Sequence, residues 1–301
     1  MWLLFAFAGP VLWAASTHID KYLVERYFRN SSTVVLMVFT SLMGLLAMPF
    51  IWWHQPQVLG LSWTAIAVMM ASGALYMGAM LFYLQAIQTE EASVVAPLFQ
   101  ASAVWGYALA YLLLAEKLGP TQLAGGALIL AAGVLLSLDK SMRFGRLKIG
   151  LILRMGACTF ALALASVIFK FFAVRDEFWD TTFWTFAGEA LFGAVILAIP
   201  VYARQMLRLL RTSPAAIFGI NGANEMINLG GGLGARYALL LAPVALVQAI
   251  SSTTTLFVFL FGVLITMFLP TLGKEDLSRR NLIQKGIGAV LVAIGVALVN
   301  G

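Results

Sequence analysis

The sequence predicts an all-α integral membrane protein of about ten transmembrane helices, arranged as two inverted five-helix repeats. Three observations carry that prediction. First, apolar residues fill 61% of the 301 positions and charged residues 11%, with a mean hydropathy of +0.93. Soluble domains carry roughly 45–50% apolar and about 25% charged residues, so this chain falls outside their class. Second, apolar runs of ~20 residues, the length that crosses ~30 Å of hydrocarbon, recur from end to end. Third, one of those runs returns in the other half of the chain.

The runs begin near Trp2, Thr33, Trp63, Ser93, Gln122, Gly150, Thr182, Pro214, Pro243 and Leu282. Short polar breaks divide them: Lys21–Asn30, His54–Gln57, Gln88–Glu91, Glu116–Pro120, Asp139–Lys148, Arg175–Asp180, Arg204–Ser213, Arg236 and Lys274–Arg280. No break is long enough for a soluble domain. The first run lacks the basic leader of a signal peptide and is followed by further apolar runs, so it is expected to be retained as a span. Strand alternation is absent, and lipid tolerates only helices or closed barrels, because every backbone polar group must be satisfied internally.

The repeat is specific in places. Gln122, Gly126, Ala127, Ala131, Gly133, Val134 and Leu136 each meet an identical residue 162 positions later, in the run from Gln284 to Leu298. Lys21 and Arg26 meet Lys170 and Arg175 at an offset of 149, and Ala86 and Val95 meet Ala238 and Val247 at 152. The offset changes only where a loop changes length. Each half crosses an odd number of times, so the second must enter from the opposite side, which makes the repeat inverted. Small residues such as the paired glycines let helix backbones approach closely.

The segment Ala86-Ile-Gln-Thr-Glu-Glu-Ala92-Ser-Val-Val-Ala-Pro97, through Leu114-Ala-Glu116-Lys117-Leu118 to Gln122 and Gly126, resembles the EamA repeat. The stretch from Tyr237-Ala238 to Pro243-Val-Ala-Leu-Val247 is similar to the same element in the second half. The chain thus resembles the EamA family of the drug/metabolite transporter superfamily, with residues 1–140 as the first five-helix repeat and 150–301 as the second. That resemblance implies a multi-pass transporter of the cell (inner) membrane. It would move a small organic solute (a metabolite, amino acid or drug-like compound) by alternating access, with protons as a candidate coupling ion. The alternative within transport is a flippase for a lipid or lipid-linked sugar, which a lateral opening to lipid would distinguish.

An ionisable group at membrane depth costs at least ~2.5–3.5 kcal/mol, so each such group calls for a reason. Asn221, Asn224, Glu225 and Asn228 fall at i, i+3, i+4 and i+7 of the eighth run, on one helical face. That stripe either lines a solute cavity or serves as interhelical hydrogen-bonding glue. Glu189 lies about two turns inside the seventh run, and Lys170 lies near the end of the sixth. By depth the two are expected to pair as a charge pair or gate, unless Lys170 snorkels to the interface. His18, Asp20 and Lys21 close the first run, as interfacial anchors or as part of the site, and Lys21 is the repeat partner of Lys170. Gln100 and Gln248 are candidates for the same cavity, with Trp105, Tyr107 and Phe257 as an aromatic wall or as core packing. The run Gly230-Gly-Gly232-Leu-Gly234 has no strand before it, so it is read as a flexible or broken segment rather than a nucleotide loop.

Other classes have little support. The two histidines, His18 and His54, and the lone Cys158 make no metal-ligand spacing. A membrane-embedded enzyme would need a catalytic His–Asp motif within a span, and the only candidate, His18-Ile-Asp20, sits at an interface. No cofactor and no nucleic-acid partner are expected. The net charge of +6 reflects loop cations, which set orientation. Fifteen of them fall at odd-numbered loops, with Lys117, Arg175 and Arg236 on the other side. The charge bias puts both termini outside, whereas the resemblance implies cytoplasmic termini.

Overall fold

A computed structural model describes residues 1–27, 32–89, 92–138, 149–268 and 278–300, and among them every regular element is helical. In the first half these are α1 (Trp2–Arg26), α2 (Thr33–His54), α3 (Trp63–Thr89), α4 (Ala92–Phe99), α5 (Ala101–Leu114) and α6 (Pro120–Ser137). In the second half they are α7 (Ile149–Arg175), α8 (Phe178–Leu197), α9 (Pro200–Thr212), α10 (Gly222–Leu241), α11 (Val244–Ser251), α12 (Thr254–Phe268) and α13 (Arg279–Asn300). A 3-10 turn covers Pro56–Gly60, and a π-helical turn, Ala216–Asn221, leads into α10. Boundaries follow local chemistry: Ser32 caps α2 through the Val34 N–H, and Pro120 opens α6, where its missing N–H is not needed.

Among the described residues eight helical segments are long and apolar enough to cross a membrane, or nine if α8 and α9, which meet at a 99° bend, form one span. The sequence led us to expect about ten. The remaining element, α10, carries four asparagine or charged residues within its length, Asn224, Glu225, Asn228 and Arg236, and these lower its apolar content. The seventh run also differs from expectation. The polar stretch after it is not a loop but the amphipathic helix α9, with Met206 and Leu209 buried and Arg204, Arg208 and Arg211 exposed. That division of faces suits a helix lying along an interface rather than across it.

The elements of the second half follow the order of the first. The fourth and ninth runs are each broken in the middle, at Gln100 and at Ser252–Thr253. The eight-residue helices before the breaks, α4 and α11, start 152 positions apart. Packing echoes this order: α1 lies along α10 as α3 does along α7, and α1 meets α12 as α7 meets α5. α6 and α13 pack on each other through glycine. A Cβ on Gly125 would stand 2.6 Å from the Gly295 carbonyl oxygen, so only bare backbone fits there.

One packing relation departs from the echo. α3 runs closely along α8, where a Cβ on Gly73 would overlap the Thr185 carbonyl and one on Gly188 the Met70 carbonyl. The corresponding pair, α10 and α2, touches over a much shorter stretch. At the offset of 152, the position on α10 equivalent to Gly73 is Glu225. Where one crossing has a glycine and backbone contact, the other has a carboxylate and a side-chain bridge.

Candidate solute-binding site

The polar stripe of α10 forms, and its N-terminal part is almost wholly enclosed: Asn221, Asn224 and Glu225 are 1%, 0% and 3% exposed. The π-helical turn ends at Asn221, and the 3.6-residue repeat then carries Asn224, Glu225 and half-buried Asn228 around one side of the helix. Three elements supply their partners. From α2, the Thr40 hydroxyl donates to Glu225 Oε1 at 2.9 Å, and the amide of Asn228 approaches the other oxygen, Oε2, at 3.4 Å. From α1, Asp20 Oδ1 accepts from Asn224 Nδ2 at 2.7 Å, while Ser16 donates more weakly to Asp20 Oδ2 at 3.4 Å. Asn224, which bonds Asp20, is the chain neighbour of Glu225, so the two carboxylates belong to one cluster. The amide oxygens of Asn221 and Asn224 are buried with no hydrogen-bond partner.

Neither carboxylate of this cluster has an ion-pair partner among the described residues, whose two ion pairs lie elsewhere. His18, on the same stretch of α1 as Asp20, turns its Nε2 to the Val258 carbonyl of α12 at 2.9 Å. Lys21 is exposed at the end of α1.

Glu189 and Lys170 do not form the pair that their depth suggests. Glu189 pairs with Arg236, whose guanidinium also lies over the rings of Phe186, at 4.7 Å, and Phe169, at 5.7 Å. Lys170 pairs with Glu116 at 2.5 Å and donates to the Ala242 carbonyl at 2.6 Å. Glu116 also accepts the Val244 N–H at the start of α11, at 3.0 Å, so one carboxylate ties α7 and α11 to the end of α5. Depth along a helix was legible in the sequence. The direction each side chain faces around its helix was not, and that direction selects the partner. Arg236 accordingly is not a loop residue: α10 continues through it to Leu241.

The remaining candidates lie apart from the α10 stripe. Gln100 sits at the break between α4 and α5, where it and Ser252, at the break of the other half, both adjoin Gly133 of α6. Gln248 donates to Ser166 at 3.2 Å and occupies room left by Gly106. Trp105, Tyr107 and Phe257 each face a different ring, those of Phe160, Tyr111 and Phe7, rather than a common wall. The glycine run of α10 is unbroken helix, contrary to expectation. Gly231 and Gly234 are spent on close contact with Trp13 and Ala8 of α1.

Three contributors escaped the sequence reading. Thr40 is a lone hydroxyl in an apolar run and carried no signal. Glu116 was read only as part of a motif. Arg236 did leave a signal: it follows Glu225 by eleven residues, about three helical turns, and so falls on the same face.

Helices this many and this apolar define a multi-pass membrane protein, and the polar cluster of α10 lies buried among them. Residues 1–138 match the model of the EamA-like transporter family. No curated protein matches the chain. A solved structure described only as the crystal structure of a protein is 19% identical with a TM-score of 0.63, and the match covers 98% of this chain and 94% of that one. At that identity the likeness speaks for the fold, which it does across both halves.

Proposed function

We propose that this chain is a carrier that moves a small organic solute across the cell (inner) membrane by alternating access. Residues 1–140 and 150–301 act as two five-helix halves of inverted orientation, related by roughly 180° about an axis in the membrane plane. The solute site lies on the N-terminal part of α10, with Glu225 as the group that couples proton movement to solute movement. The observation that carries this reading is the cluster of buried Asn221, Asn224 and Glu225 with half-buried Asp20 at the meeting of α1, α2 and α10, with two carboxylates and no ion-pair partner for either among the described residues. Structural glue would use up its acceptors, and two amide oxygens here are unused. The unequal crossings also support it: a backbone-tight α3–α8 contact opposite a side-chain-bridged α10–α2 contact suits two halves caught on one side of a rocking motion.

The test is flux into proteoliposomes, normalised to folded protein, with and without a pH gradient. Glu225→Gln should fold and insert, since the amide keeps the shape, yet lose gradient-driven flux. Asn224→Ala and Asn228→Ala should weaken solute binding and leave coupling intact, because neither group carries a proton. Gradient-sensitive flux at the wild-type level in Glu225→Gln would overturn the proton role. Lost thermal stability with unchanged flux per folded molecule would identify the cluster as packing.

A further inference from the structure

The inventory of the α10 cluster specifies the kind of molecule it would receive. Its acceptor capacity exceeds what its donors fill: two carboxylates and two orphaned amide oxygens. A carboxylate offers about four lone-pair positions and no donor when ionised. Against that capacity, Asp20 receives one short bond from Asn224 and one long one from Ser16, and Glu225 one short bond from Thr40 and one long one from Asn228. Arg236 is committed to Glu189 and Lys170 to Glu116, and Lys21 is exposed near the end of α1, with no ion pair to Asp20 or Glu225 among the described residues. The Asn224 oxygen adjoins the Asp20 contact made by its own nitrogen, so the orphaned acceptor and the carboxylate belong to one site.

Building on the transport reading above, we infer that the solute is an organic cation bearing N–H donors, an ammonium or guanidinium group, held between Asp20 and Glu225 with the Asn221 and Asn224 amide oxygens. A primary ammonium brings three donors to acceptors that the cluster's own donors leave unfilled, and a positive charge to two carboxylates with no ion-pair partner among the described residues. An anionic solute would meet uncompensated negative charge, and a neutral solute rich in acceptors would find few donors. A quaternary ammonium would supply the charge but leave the amide oxygens unpaired, so the site should prefer N–H bearing amines over it. Among the described residues no group of three or more His, Cys, Asp or Glu side chains is placed to hold a metal ion.

The experiment uses the purified full chain with putrescine, tetraethylammonium, glucose, glutamate and sodium chloride as probes at matched ionic strength. Binding is read by the shift in thermal unfolding, and transport by flux of the labelled probes into proteoliposomes. Putrescine should stabilise the protein and bind roughly tenfold or more tightly than tetraethylammonium, since it makes the charge-assisted hydrogen bonds the other cannot. Asp20→Asn and Glu225→Gln should each weaken putrescine roughly ten- to a hundredfold. Asn221→Ala, which removes an orphaned acceptor but no charge, should weaken it by less and serves as the variant least exposed to folding defects. Stabilisation by glutamate or glucose alone, by sodium alone, or by putrescine to the same degree in all three variants would overturn the ammonium assignment. Flux confined to glucose or glutamate would do so while leaving the carrier reading intact. Putrescine binding that Asp20→Asn abolishes, without flux under any gradient, would support the ammonium site and overturn the carrier reading.

Discussion

The two ends of α10 solve the same problem in opposite ways. Glu225 and Arg236 lie eleven residues apart, roughly 16 Å along the axis and on one face. At the C-terminal end the buried charge is closed: Arg236 meets Glu189 of α8 and is flanked by the rings of Phe169 and Phe186. At the N-terminal end two carboxylates share a small space with hydroxyl and amide donors alone. A buried ion pair with satisfied geometry holds helices in one arrangement, whereas acceptors lacking a counter-charge leave capacity for something that comes and goes. The comparison separates a charge that fastens the bundle from a cluster that leaves acceptors unfilled.

The largest expected effect lies at the closed end. Arg236→Met should destabilise the protein by about 3–5 kcal/mol, because it strands Glu189 as a buried unpaired charge. Adding Glu189→Leu should recover most of that loss, since replacing both partners by apolar groups is often neutral. Thermal unfolding in detergent and folded yield would measure both. If Arg236→Met were harmless, the two ends of α10 would not differ in kind.

A smaller effect is expected at the tight crossing. Gly188→Ala places a methyl group against the Met70 carbonyl of α3, so one backbone must move. Such overpacking typically costs about 1–3 kcal/mol. The same change at Gly222, where the added Cβ would meet only the Ile217 carbonyl at 3.7 Å, should be nearly silent. Equal melting points for the two variants would remove the distinction between the α3–α8 and α10–α2 sides.

The smallest stability effect belongs to the bridged crossing. Thr40→Val keeps the shape and deletes the hydrogen bond to Glu225, for which about 1 kcal/mol is expected. Its sharper consequence should be in flux, where loosening the only short α2 contact to Glu225 alters coupling more than folding. A Thr40→Val protein with a large stability loss and normal flux would move that hydrogen bond into the fastening class with Arg236.

These contrasts mark what the sequence alone determined. It determined that the chain is helical and membrane-embedded, because hydrocarbon forces each spanning segment to satisfy its own backbone and so leaves apolar runs of fixed length. It determined that the stripe of Asn221, Asn224, Glu225 and Asn228 shares one face, because helical periodicity is local. Only the tertiary structure decided which charges meet. Lys170 turned to Glu116, Glu189 to Arg236, and Glu225 to a threonine 185 positions away. Those choices depend on the rotation and approach of whole helices, set by contacts such as Gly73 on Thr185 and Gly231 on Trp13, and no local pattern in the chain records them.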